Sequence, residues 1–178
     1  LTISVKTALG ATPSASDAVT VAMRSATESV LTYSARTVVA ATTLTVPSTA
    51  TLGHISAVEG GIHYYLIDYA SGTIELACST KFFGHSGVVT TTAVSAAATS
   101  ATVMYSTSAR TSVPFRWVGY STDLQTVAGT WASAPTIARN GLPPYLSLPR
   151  VLSKSVAGAA DVTLTQDEAR NHILILTG

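Results

Sequence analysis

Alternation of apolar and polar residues is the dominant pattern along this chain. In LTISVKTAL, Leu1, Ile3 and Val5 alternate with Thr2, Ser4 and Lys6, the period-two signature of a strand with one buried face. Gly10, Pro13 and Asp17 punctuate GATPSASD as a turn cluster, and AVTVAMRS predicts a second strand. SVLTYSARTVVAATTLTVPSTATLG predicts two or three short strands, ended by Pro47 and Gly53. The clearest hairpin is GGIHYYLIDYASGTIELACST, with a strand over 62–69, a turn at Ala70-Ser71-Gly72 and a strand over 73–79. After Phe82-Phe83-Gly84 the segment VVTTTAVSAAATSATVMYSTS has no clear period. Its alanines permit a helical turn, whereas its Thr and Val favour strand or loop. SVPFRWVGYS predicts a strand carrying Phe115, Trp117 and Tyr120; DLQTVAGTWASAP predicts a polar loop pinned by Trp131 and closed by Pro135.

Strands spaced roughly 8–12 residues apart, with turn signals between them, describe a sandwich or barrel. The expectation is an all-β protein whose residues 1–140 form an antiparallel β-sandwich-like domain. Pro143, Pro144 and Pro149 then stiffen NGLPPYLSLP into an extended connector over 141–150. Residues 151–178 are too few for a core of their own and are expected to begin a truncated C-terminal β unit. There, Asp161–Thr165 alternates, Gln166-Asp167-Glu168-Ala169-Arg170 makes a polar turn, and HILILT follows. A strand of Ile173, Leu174, Ile175 and Leu176 is apolar on both faces and needs cover above and below. Those four residues are the expected oligomerisation element. Both ends of the chain cut through strand-like sequence, so a segment of a longer polypeptide, or its ordered part, is expected.

Composition sharpens this picture. Only 11% of the residues are charged while 47% are hydrophobic, and the polar remainder is mostly Ser and Thr. β-branched Thr and Val suit pleated strands, and such apolar content with little net charge argues against disorder. The formal net charge is +1 and the ten Lys and Arg are scattered singly, so no stripe is expected to neutralise nucleic-acid phosphates. No charged N-terminus leads into a signal-like apolar run, and no stretch suits a membrane helix. The few, clustered aromatics do not form the girdles of an outer-membrane barrel. Cys78 is the single cysteine, expected as a buried, inert thiol.

The residues that bear chemistry do not assemble into a motif. His54, His63, His85 and His172 have neither H-x-H nor H-x-x-x-H spacing, so no metal or cofactor is expected, although one histidine per chain suffices for a site on a threefold axis. Asp68, Glu75 and Asp123 are the carboxylates that sequence leaves free to converge, but nothing in their spacing demands the pair a glycosidase needs. Gly84-His85-Ser86-Gly87 places serine beside histidine, yet neighbouring strand residues face opposite ways, and a turn accounts for the sequence. Catalysis is not expected. Among Tyr64, Tyr65, Tyr69, Trp117, Tyr120 and Trp131, core and cross-strand packing competes with stacking on sugar rings. Trp117, Trp131 and Tyr65 are the candidate glycan-stacking residues. Tyr64 and Tyr65 must straddle a sheet, so one of them faces outward or into a partner chain.

Residues 1–140, through LTISVKTALGATPSASDAVTVAMRS, RTVVAATTLTVPSTATLG and SVPFRWVGYSTDLQTVAGTWASAPT followed by a proline-rich exit, resemble a β domain of tail-fibre and related appendage proteins of tailed bacteriophages. DVTLTQDEARNHILILTG resembles a short β unit that recurs in phage tail proteins and continues into further strands. The resemblance implies a homotrimeric, non-enzymatic virion component of a tail, collar or neck fibre. Such a component contacts other tail or neck proteins and a host-surface glycan, without nucleic acid and without membrane insertion. It carries no catalytic residues. The alternative from the residues is a carbohydrate-binding module of a secreted or surface protein. A polysaccharide-degrading enzyme built on Asp68 or Glu75 is a third.

Overall fold

The computed structural model describes residues 1–24, 33–70 and 72–131, and the backbone of strands at 137–140, 150–155 and 172–177. Contacts divide the chain into Leu1–Asn140 and Gly141–Gly178. Every regular element among the described residues is a strand, as expected of an all-β protein. In chain order these are β1 (Thr2–Ser4), β2 (Val19–Arg24), β3 (Tyr33–Val38), β4 (Thr43–Thr45), β5 (Glu59–Asp68), β6 (Ile74–Ser79), β7 (Ser86–Ala93), β8 (Met104–Ser106), β9 (Arg110–Leu124) and β10 (Ile137–Asn140), with β11 (Arg150–Ser155) and β12 (His172–Thr177) in the second unit.

Five strands close into a barrel-like sheet. β9, β5, β6, β8 and β7 follow one another, and β7 pairs back onto β9. Closure depends on the 15-residue length of β9. One of its edges runs along β5, while the other serves β7 through Arg110–Arg116 and β10 through Gly119–Thr122. The β5–β9 register slips between Tyr64 and Tyr65, a bulge of the kind that helps a sheet curl. The expected hairpin is present: Leu66 faces Leu76, Tyr69 N–H bonds Thr73 O at 3.2 Å, and Gly72 takes the positive φ of 126° that the turn demands.

The antiparallel expectation fails at one pair of this sheet. β7 and β8 run parallel, Thr91 to Ala93 facing Met104 to Ser106. The segment between them doubles back over the outside of the sheet, where Ala98 is buried and its carbonyl accepts from Leu52 N–H. The stretch whose middle sequence left undecided is therefore strand, crossover and strand, with no helical turn.

Two cores lie on the two faces of this one sheet. Tyr65, Ile67, Ala77, Met104, Val113, Phe115 and Trp117 come from β5, β6, β8 and β9, with Val89 of β7 against them, so together they fill the interior of the closed sheet. Alternate residues of the same strands, including Ile62, Leu66, Leu76, Cys78 and Tyr105, point outward and pack with Met23, Leu44 and Val46. Met23 comes from β2, which pairs with β3; Leu44 comes from β4, which pairs with β1. A two-stranded ribbon is marginal alone. Burial of these side chains against the barrel holds both ribbons in place.

In the second unit β11 and β12 form a two-stranded parallel sheet, in register from Arg150↔His172 to Ser155↔Thr177. The proline-rich connector at 141–149 and the polar turn at 166–170 lie outside the described residues.

Candidate functional site

Each carboxylate singled out from the sequence is already held. Asp68 pairs with Arg36 Nε at 2.5 Å and accepts Gly72 N–H at 2.8 Å. Glu75 accepts Arg110 Nε at 3.1 Å and Nη2 at 3.0 Å on one oxygen, and Ser108 N–H at 3.2 Å on the other. Asp123 accepts Gln125 Nε2 at 2.7 Å. Asp68 and Glu75 stand one register step apart on β5 and β6, since Ile67 faces Glu75 and Asp68 faces Ile74. Strand alternation therefore sends them to opposite faces of the sheet, where they cannot flank one substrate. Among the described residues no three His, Cys, Asp or Glu side chains are grouped for a metal ion, and no helix is long and apolar enough to cross a membrane.

The candidate stacking aromatics separate. Tyr65 is 0% exposed and Trp117 4% exposed, both inside the barrel. Neither offers a ring face to a ligand, and their candidacy is corrected: a closed sheet has an apolar inside, and the largest rings fill it. Tyr65 is wedged between Phe115 and Phe83, with ring centres 5.5 and 6.3 Å away. Tyr64 does face outward, yet it lies half-buried among the residues of the outer core and shares a hydrogen bond with Ser121 Oγ. The alternation of the two tyrosines was thus legible; the cover on both sides was not.

Trp131 is different. It is half-buried and forms one wall of an open groove of about 490 Å³ with Leu1, Ser48, Thr49, Val127, Gly129 and Thr130. Its indole N–H donates to Ala50 O at 2.8 Å, which fixes the ring plane. The loop before it is stitched down: Thr49 N–H bonds Gly129 O at 2.9 Å, Ala57 N–H bonds Gln125 O at 2.7 Å, and Gly129 N–H bonds Gln125 Oε1 at 2.6 Å. Thr49 approaches Gly129 so closely that a Cβ there would lie 2.9 Å from the Thr49 backbone. A rigid indole beside hydroxyl-bearing residues suits the apolar face and the hydroxyl rim of a sugar ring. Ser48, Thr49 and Thr130 carry no signal in the sequence that would join them to Trp131.

Histidines stand on both faces of one barrel end, His63 with Trp117 on the inner side and His54 with Trp131 on the outer side. His63 Nδ1 accepts the Trp117 indole N–H at 3.2 Å, and its ring packs on Phe82 and Tyr120 at 5.1 and 4.9 Å. His85 touches Phe82 and Trp117, and its carbonyl accepts Trp117 N–H at 2.8 Å. His54 packs its ring over Gly60 and against Trp131 at 5.5 Å. Burial lowers the basicity of both His54 and His63, with the Asp123 carboxylate acting in the opposite direction on His54. His85 lies in a bend, as the expected turn requires, and Ser86 opens β7. Cys78 is fully buried, and desolvation pushes its thiol up to about 12, in keeping with an inert packing residue.

The expected oligomerisation residues Ile173, Leu174, Ile175 and Leu176 lie in β12, facing Val151, Leu152, Ser153 and Lys154 of β11. Comparison of the chain with known protein families, with curated proteins and with solved structures finds no match.

Proposed function

We propose that this chain is a structural subunit of a tailed-bacteriophage virion appendage, a tail, collar or neck fibre, assembled as a homotrimer. The observation that carries the reading is the terminal ribbon. Parallel sheets occur almost entirely with both faces covered, and two strands seldom make a stable sheet by themselves. β11 and β12 are one such pair, and β12 contributes Ile173-Leu174-Ile175-Leu176 to it. In this reading sister copies supply the missing strands and cover. The N-terminal unit is the presented fibre domain, its β1–β4 and β2–β3 ribbons forming a sandwich-like second layer over the barrel. Other tail or neck proteins and a host-surface glycan are the proposed partners. Sedimentation equilibrium of residues 1–178 at micromolar concentration tests the assembly: a species of three chains is expected, and a well-folded monomer overturns it. Tracing the chain in an intact-particle density map tests its place in the virion.

A carbohydrate-binding module is the second reading, favoured by the Trp131 groove. Trp131→Ala is expected to abolish selective signal on a glycan array while leaving the far-ultraviolet circular dichroism unchanged. Retained binding removes Trp131 from the site.

A further inference from the structure

The two tryptophans of the N-terminal unit each stand against a buried histidine, and both pairs lie at one end of the barrel. The register fixes this: His63 faces Tyr120, while Gly60, under the His54 ring, faces Asp123 three residues along. At the first pair the Trp117 indole N–H donates to His63 Nδ1, so that nitrogen carries a lone pair and the neutral ring holds its proton on Nε2. A proton added at Nδ1 would point one N–H at another. The bond cannot survive protonation with the rings in place.

At the second pair neither ring nitrogen of His54 has a hydrogen-bond partner, although the residue is only 8% exposed. Charging this ring would bury a cation with nothing but Asp123 to answer it, and that carboxylate is already engaged by Gln125. The residues packed around His54 from the 47–57 loop and the 125–131 strap contain no other ionisable side chain. Those meeting His63 are Phe82, Trp117, Tyr120 and its strand partner Ser79; the second imidazole of the cluster, His85, touches the same Phe82 and Trp117.

We propose that this barrel end is an acid-operated catch: proton uptake by His63 and His54 breaks the Trp117 bond, frees the Trp131 strap and opens the end while the rest of the barrel stays folded. The far end has no part in it: there Glu75 is paired with Arg110 and Asp68 with Arg36, and among the described residues no histidine stands against either pair. Burial lowers both histidines below the ordinary 6.5, so the closed form takes up protons less readily than the open one. Closure is therefore fully favoured above about pH 6.5 and is lost as the pH falls through the values of the closed form.

The test follows tryptophan emission and acrylamide quenching of residues 1–178 from pH 8 to pH 5, with far-ultraviolet circular dichroism as the control for the fold. A reversible red shift and a rise in quenching between pH 6.5 and 5, at constant ellipticity, are expected. His63→Gln keeps an oxygen acceptor for Trp117 without a titrating ring, and His54→Gln removes the buried cation. Each is expected to lose part of the response and the double variant all of it. A pH-independent wild type, or a response retained in the double variant, overturns the proposal. Should the variants misfold, nuclear magnetic resonance of the wild type decides: both indole N–H signals must move with the His54 and His63 titrations, and fixed signals overturn the proposal equally.

Discussion

Tyr65→Phe isolates the hydroxyl that ties the barrel interior to the loop at 81–83. The ring is fully buried, and phenylalanine keeps it, so packing against Phe115 and Phe83 is preserved. What disappears is the hydroxyl, which accepts Phe83 N–H at 2.9 Å and donates to Lys81 O at 3.3 Å. The donated bond is long and Lys81 is exposed, so water takes over that carbonyl at little cost. The accepted bond matters more. A stranded buried N–H costs about 1–3 kcal/mol, and Phe83 is half-buried, which places the loss near 1.5 kcal/mol. At about 2–4 °C per kcal/mol for a domain of this size, Tm should fall by about 3–6 °C. Urea unfolding followed by tryptophan fluorescence should show a lower midpoint at unchanged slope. A change below about 0.5 kcal/mol would mean that the hydroxyl does not anchor the 81–83 loop, and the account of the barrel cap would fail.

Three further outcomes follow from the same architecture. Met23→Ala, at the buried contact between the β2–β3 ribbon and the outer core, should cost about 2–5 kcal/mol in urea titrations; a neutral result would detach the ribbon from the fold. Gly53→Ala places a Cβ 2.4 Å from Ala101 Cβ at a φ of 86°, and overpacking with left-handed strain should cost about 2–4 kcal/mol, read as the drop in urea midpoint. Burial raises Cys78 from 9.0 and Tyr65 from 10.0, each to about 12, so these groups favour folding below pH 9 and that contribution is lost as pH rises towards 12. Unfolding monitored against alkaline pH should steepen there, and Tyr65→Phe with Cys78→Ala should flatten it; an unchanged slope would count against the buried placement of both.

Sequence exposed the parts of the fold that local chemistry encodes. The β5–β6 hairpin was legible because Gly72 permits the turn and strand-forming residues flank it. The role of Trp117 and Tyr65 was not, because a sheet with a core on each face does not alternate apolar with polar. In β6 every residue after Ile74 is buried, Leu76 and Cys78 outward, Glu75, Ala77 and Ser79 inward. The parallel β7–β8 pair was hidden for another reason: VVTTTAVSAAATSATVMYS is strand-forming throughout and has no punctuation to mark the crossover. Burial on both faces also explains why 11% charge suffices, and why Asp68 and Glu75 are each matched to an arginine that sequence spacing could not reveal.

The register of the terminal ribbon gives the proposed assembly an asymmetry of its own. Val151 and Leu152 face Ile173 and Leu174, so the first half of the pair matches apolar with apolar. Ser153 and Lys154 face Ile175 and Leu176, so in the second half β12 brings apolar residues that β11 does not answer. In the proposed assembly Ile175 and Leu176 are therefore the positions that depend most on sister copies. A buried charge without a partner is among the few substitutions that cost several kcal/mol, and in a trimer that cost is incurred in three copies. Ile175→Asp is therefore expected to dissociate the assembly in sedimentation experiments, while Ser153→Asp, on the polar partner strand, leaves its mass unchanged. Equal dissociation by both substitutions would mean that β11 is as deeply shared as β12, and an unaffected Ile175→Asp assembly would place the contact between copies elsewhere.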